Sequence, residues 1–277
     1  MKLEFKRSGD IKPLMIETVN KGYIPLVSAG YNILAGEGGV GKSLVALKSM
    51  VIYLLDHQKE QAIMFMTEDG IRECIGRTKT ICKNMRIDFD EINDRVFWYT
   101  LEETAVPKLA FKGMHGIKEK DLEAINSICD FSITNNVGFI CLDPLRAFHE
   151  LEENSNDEMP FITREIFPMI GKITGAVILV LHHSAKGEGS QVRGASSIGN
   201  DARIAWVVSK AVEKNGITGK KTIKKGYEDK IHLDVYKDNF NIARYCRIRD
   251  NEGMIFLPTV QTVQTGTMES PVEVHSV

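Results

Sequence analysis

The chain of 277 residues carries 35 Lys and Arg against 37 Asp and Glu, a formal charge of −2, so no global basic field advertises nucleic acid. Any such contact must be local or assembled from several subunits. Its 43% hydrophobic content supports a sizeable core in one large α/β domain, and no run nears the ~18 apolar residues of a membrane span; with no signal-peptide core at the start, a cytoplasmic protein without membrane contact is expected.

Residues 1–30 mix charges with Pro13, Pro25 and glycines and show no sustained period. They read as an arm or linker, laid on a neighbouring copy or packed on its own domain. The main folded domain itself is expected over residues 31–258. Apolar Ile33-Leu34-Ala35 then leads into Gly36-Glu37-Gly38-Gly39-Val40-Gly41-Lys42-Ser43-Leu44, which matches G-x-x-x-x-G-K-[ST] between a buried strand and a helix of about Ser43–Leu55. Such glycines let backbone N–H groups turn around phosphate oxygens at a helix N-terminus. Lys42 is the group expected to reach the β- and γ-phosphates of ATP, and Ser43 a ligand of Mg²⁺.

Ala62–Thr67 is a continuous apolar run of the kind that forms a parallel strand covered on both faces. It closes on Glu68-Asp69-Gly70. Glu68 is the candidate base for an attacking water, placed on a strand taken to lie beside the phosphate loop, and Asp69 a cap for the helix that follows from Ile71 to Cys82. A strand is expected at Val96–Thr100 and an amphipathic helix over Lys118–Phe131. Val137–Asp143 is a further buried strand whose terminal carboxylate suits Mg²⁺, held through water or Ser43. The acidic stretch Glu150–Glu158 has little to bury and reads as a mobile loop, followed by a helix around Pro160–Ile170.

Ala176–Leu181 is the next strand and ends in His182-His183, of which His182 is the expected γ-phosphate sensor. Lys186 and Arg193 bracket a glycine-containing loop. Arg193 is the candidate finger from a neighbouring subunit, with Arg203 and Lys237 as lesser candidates; charge donated in this way is worth roughly 10³–10⁵ in rate where it operates. A strand at Ala202–Ser209, a hairpin excursion at Lys214–Lys225 and short strands at Ile231–Tyr236, Tyr245–Ile248 and Met254–Leu257 suggest an antiparallel extension of the sheet, with residues 259–277 as a frayed tail. Cys74, Cys82, Cys129, Cys141 and Cys246 are widely spaced and read as reduced core residues. In an open parallel sheet ligands bind outside the carboxyl ends of the strands, where four of these runs carry polar residues.

With these residues in place, the chain resembles the RepA-type replicative helicases of plasmids and phages, within the RecA-like hexameric motors. The resemblance rests on Gly-Glu-Gly-Gly-Val-Gly-Lys-Ser, Thr67-Glu68-Asp69, Leu142-Asp143-Pro144-Leu145-Arg146-Ala147-Phe148-His149, His182-His183-Ser184-Ala185-Lys186 and Arg193-Gly194-Ala195-Ser196-Ser197. It implies a RecA-like core, ATP and Mg²⁺ at the interfaces of a ring of six, and single-stranded DNA in the channel. Lys186 and Arg193 would then be its DNA-binding residues, and a replication initiator, primase or loader its further partner. Lys237-Asp238-Asn239-Phe240 resembles the element that brings a Lys to a neighbour's phosphate. The near-neutral charge and the acidic Glu150–Glu158 stretch keep a second reading open, an ATPase used as an assembly switch without unwinding. A small-molecule kinase is the third class, disfavoured by Glu68 and the paired histidines.

Overall fold

The computed structural model describes residues 18–20, 23–28, 30–102, 105–183, 196–210, 212–214, 221–223, 230–239 and 255–258. Two short strands, β1 (Thr18–Val19) and β2 (Leu26–Val27), pair antiparallel and lead into β3 (Tyr31–Gly36). Then follow α1 (Lys42–Asp56), β4 (Gln61–Met66), α2 (Ile71–Met85), β5 (Val96–Thr100), the hairpin β6 (Ala110–Lys112) and β7 (Lys118–Lys120), α3 (Leu122–Thr134) and β8 (Val137–Asp143). The chain continues through α4 (Phe167–Thr174), β9 (Val177–His183), α5 (Ser196–Asn200), β10 (Ile204–Lys210), the hairpin β11 (Val212–Lys214) and β12 (Lys221–Ile223), and β13 (Lys230–Asp238) with β14 (Ile255–Pro258).

Six of these strands form one parallel array in the order β10-β3-β9-β8-β4-β5, and β13 and β14 add antiparallel strands beyond β10. Parallel strands need crossovers that cover both faces, which is why β3, β8 and β9 are apolar almost without interruption. One face buries Leu34, Met64, Met66, Cys141, Leu179, Leu181 and Trp206 under α1 and α2, and the other buries Ile33, Phe65, Ile140, Leu142, Val180 and Phe148. This is the mixed α/β, RecA-like architecture expected from the sequence. Cys74, Cys82, Cys129 and Cys141 are buried free thiols, and burial raises the pKa of all four; Cys246 lies outside the described residues. No helix of the described residues is long and apolar enough to cross a membrane.

Two sequence expectations, the helix from Lys118 and the mobile acidic loop, are corrected, while the arm follows one of its two alternatives where it is described. The described part of the arm packs on its own domain, with Ile24, Leu26 and Val27 fully buried. Asn32 holds it there, accepting from Val27 N at 2.8 Å and donating to the carbonyls of Val27 and Ile178 at 2.9 and 3.0 Å, while Trp206 Nε1 donates to Pro25 O at 3.1 Å. The helix expected from Lys118 begins only at Leu122, after Asp121, whose side chain accepts from Ala124 N at 2.9 Å; Lys118–Lys120 is instead a hairpin strand turned by Gly116 at φ 74°. The acidic stretch is folded: Leu151 is buried, Lys112 pairs with Glu158 at 2.8 Å, Lys118 donates to Asp157 O at 2.7 Å, and Glu152 N donates to Glu158 Oε2 at 2.8 Å. The helix around Pro160 is a π turn, Phe161–Ile166, continuing into α4, consistent with Pro168 contributing no N–H near the junction. The Tyr245–Ile248 strand and the 259–277 tail lie outside the described residues.

Asn32→Ala leaves buried backbone groups of Val27 without partners, at a cost of about 2–4 kcal/mol. A chain of this size should lose on the order of 5–10 °C in melting temperature. Calorimetry checks this, and a change under 1 °C would mean that residues 23–27 are not fastened to this core in solution.

Candidate active site

The site is built where β3, β4, β8 and β9 end. β3 stops at Gly36, where a Cβ would come 2.6 Å from Val208 O on β10, so only glycine fits. Gly41, at φ 105°, turns the chain into α1 without a capping side chain, and the first turn holds no acidic residue. The N–H groups of that turn are therefore left to an anion. A Cβ built on Gly38 or Gly39 meets no described atom within 4 Å, so the loop's rim is open.

Lys42 is buried, and its Nζ donates to Gly36 O and Glu37 O, both at 2.9 Å. Burial lowers its pKa, while Asp143 and Glu68 work in the opposite direction. Ser43 Oγ donates to Asp143 Oδ2 at 2.7 Å. Asp143 is buried at the end of β8, and its pKa is pushed up to about 6, chiefly by burial and further by the charges of Glu68 and Asp69, against the Ser43 hydrogen bond and Lys42. Thr67 N and Oγ1 both donate to Asp143 O at 3.0 Å, tying the ends of β4 and β8 together. The donor set thus fits a triphosphate and a hard dication: an ammonium and bare helix N–H groups for phosphate, a hydroxyl and a carboxylate for Mg²⁺.

Glu68 reaches this group by a different route from the one expected. β4 does not flank β3, because β9 and β8 lie between them. Glu68 is largely exposed, yet close enough for its charge to act on both Lys42 and Asp143, and its Oε1 lies 3.9 Å from His183 Nε2. The register pairs Gly36 with His183 and Ala35 with His182, and neighbouring residues in register share a face. His183 therefore shares the face of Leu34, Leu181 and α1, whereas His182 is buried on the opposite face, near His149. His183, and not the His182 expected from the sequence, is therefore the histidine on the face of the phosphate loop's helix.

Asp69 is not the helix cap. It pairs with Arg77 at 2.7 Å, and Ile71 N at the start of α2 donates instead to both oxygens of Glu102, at 3.0 and 3.1 Å. Arg77 and Glu102 were missed by sequence reasoning, and Thr67 was named only as part of the Thr67-Glu68-Asp69 motif; of the two missed, only Arg77, one turn beyond Glu73, had a local signal. In the Leu142–His149 motif, Arg146 donates to Leu151 O at 2.9 Å and buried His149 accepts from Leu151 N at 3.1 Å, so both hold the chain after β8. Burial and nearby cations lower the His149 pKa to about 4, which keeps it neutral.

Lys186 and Arg193 lie outside the described residues. Arg203 is exposed just before β10, and Lys237, opposite Ala205 in register, donates to Asn200 O. Both sit toward the amino end of β10, whereas the phosphate loop adjoins Val208; Arg203 is five residues away, about 16 Å at ~3.3 Å per residue. They stand apart from this chain's own Lys42. Among the described residues no group of three or more His, Cys, Asp or Glu forms a metal cluster, so a cation here would be shared with phosphate oxygens.

Because the folded-state pKa of Asp143 is raised, the neutral form favours folding; that stability is complete below the unfolded value near 4 and is lost as pH rises through about 6. A shift of about two units corresponds to about 3 kcal/mol. Asp143→Asn should therefore melt higher than the parent at pH 8 in chelator, with the gap closing toward pH 4, and should lose the added stability that Mg²⁺-nucleotide gives the parent. Equal melting temperatures at pH 8 would refute the strained carboxylate.

A search of curated proteins gives no significant match. A family model described as AAA domain, AAA_25, matches residues 8–189, about two-thirds of the chain, and so spans the phosphate loop, Glu68, Asp143 and His183. The chain belongs to this AAA domain family of P-loop ATPases.

Proposed function

We propose that the chain is an ATP-driven motor on single-stranded DNA, a helicase working as a ring of identical subunits in plasmid or phage replication. The observation that carries the reading is the convergence at one sheet edge of Lys42, the Ser43–Asp143 pair and an exposed Glu68 beside His183. Lys42, released from the Gly36 and Glu37 carbonyls, binds phosphate oxygens. Ser43 and Asp143 would hold Mg²⁺, which would supply positive charge against that of the phosphates. Glu68 accepts a proton from water at the open side of the site, and His183 orients Glu68 and feels the loss of the γ-phosphate. The setting of Arg203 and Lys237 at the far end of β10 supports their use on a neighbour's nucleotide, and Arg193 keeps its proposed role as the finger. Single-stranded DNA, the ring, and an initiator, primase or loader as partner come from the motif resemblance.

The assembly-switch reading draws support from the folded acidic segment, whose exposed Glu150, Glu152 and Asp157 would repel a phosphate backbone. The deciding experiment is release of a labelled strand from forked duplexes with tails of either polarity, in ATP and Mg²⁺, with Lys42→Ala as the blank. Tail-dependent release that vanishes in the blank supports the motor. ATP turnover without release at low salt supports the switch.

Glu68→Gln should retain nucleotide binding and lose roughly 10²–10⁴ in turnover, the usual reach of a general base. Arg193→Ala should likewise bind but not hydrolyse ATP, and mixing the two variants should restore part of the activity if Arg193 acts across the interface. Unimpaired turnover in either variant would remove that residue from the mechanism.

A further inference from the structure

Helix α2 starts three residues after Glu68 and has two chemically different sides. Cys74, Thr78, Ile81 and Cys82 are buried. At 100° per residue, Arg72, Gly76, Lys79 and Lys83 fall on the other side, within an arc of about 60°, and Arg86 caps the helix just beyond them. All five are exposed, and no acidic residue of the helix lies on that arc, since Glu73 is turned aside to Arg77. Among the described residues none of the four cations is in an ion pair; Arg72 acts electrostatically on Glu102, and the Lys79 ammonium lies 5.2 Å from the Phe89 ring centre. In a chain of net charge −2 this is a local concentration of one sign.

Two features of the stripe work against the helix itself. Lys79 and Lys83, one turn apart, repel each other. Gly76 weakens the helix interior relative to alanine. Neither space nor backbone conformation calls for it: a Cβ there meets nothing within 4 Å, and its φ is not in the left-handed region. What a glycine does at the middle of the stripe is leave the helix backbone bare, so that a ligand can approach it closely.

We propose that this face of α2 binds the phosphate backbone of a nucleic-acid strand, with Arg72, Lys79 and Lys83 on successive phosphates and Gly76 as the point of closest approach. Arg72 and Lys79 are about 10 Å apart along the helix and Lys79 and Lys83 about 6 Å, so no single phosphate can take all three, whereas a chain of phosphates can. Asp88, Asp90 and Glu91, in the turn after Arg86, limit the site at that end. The site is distinct from the loops that the motif resemblance assigns to DNA. It rests on the nucleic-acid part of the reading above and not on its motor part.

The test is fluorescence anisotropy of a labelled oligothymidylate at low salt, without nucleotide, using the full chain, the triple variant Arg72→Gln, Lys79→Gln, Lys83→Gln, and Gly76→Leu. The triple variant should bind at least about tenfold more weakly, and the slope of log K against log salt should become shallower by about 2, since each phosphate contact on a single strand contributes ~0.7. Gly76→Leu should keep or raise the melting temperature and still weaken binding several-fold, which a structural role would not produce. DNA-free ATP turnover should be unchanged in both. Unchanged affinity and salt slope in the triple variant would overturn the proposal, as would a change in its oligomeric mass, which would make the stripe a subunit contact, or an unmodified chain that binds no strand. If the stripe variants behave as expected while forked duplexes stay closed, the motor reading alone fails.

Discussion

The hydrogen bond from Ser43 to Asp143 is the constraint on which the site depends. Ser43 opens the helix that follows β3 and Asp143 ends β8, two strands that are not neighbours, because β9 runs between them. The bond therefore crosses a strand and fixes the start of α1 against the end of β8. Thr67 extends the tie to β4 through two hydrogen bonds to the Asp143 carbonyl. A buried carboxylate is costly unless paired, and one hydroxyl pairs it only in part. Glu68 and Asp69 worsen its position. The edge of the sheet is consequently built around a charge that a cation would relieve.

The turn carrying Glu68 is held from outside the site. Leu101 N donates to Asp69 O at 3.0 Å, Arg77 takes the Asp69 carboxylate, and Glu102 caps α2 from the end of β5. Glu68 itself makes only a distant approach to His183, at 3.9 Å, and stays largely exposed. Its backbone is fixed while its carboxylate faces solvent, which suits a group that must meet water. The hairpin β6–β7 ties the acidic stretch down through one ion pair, Lys112 with Glu158, and one hydrogen bond, Lys118 to Asp157 O, so composition alone misjudged its order though not its charge. Lys112 and Lys118 come from a segment some forty residues earlier, a pairing no local window contains.

Much of this was legible in the residues, for reasons that differ by element. The phosphate loop combines glycines, lysine and serine at fixed offsets, and β3, β4, β8 and β9 are apolar runs bounded by polar residues. The choice between His182 and His183 was not legible, because a strand buried on both faces shows no period of two; Val-Ile-Leu-Val-Leu-His-His gives no hint of which side faces α1. Strand order was also hidden, since the insertion of β9 between β3 and β8 is a long-range pairing. Asp69 resembled a cap by position, but Arg77 competed for its carboxylate and Glu102 took the vacant N–H. The burial of residues 23–27 depended on Asn32, whose three hydrogen bonds cannot be inferred from one polar letter inside an apolar strand.

The placement of Arg203 about 16 Å and of Lys237 about 10 Å along β10 from the phosphate loop gives the chain a direction. If these cations serve a nucleotide, copies must join head to tail, the lysine end of one against the loop end of the next. A two-fold pair cannot satisfy such contacts symmetrically, so the options are a closed ring or an open filament. An open arc always leaves one nucleotide site lacking its neighbour, and closure completes it without any new kind of contact. On that condition, the geometry of a single strand would tie the number of competent sites to whether the assembly is open or shut.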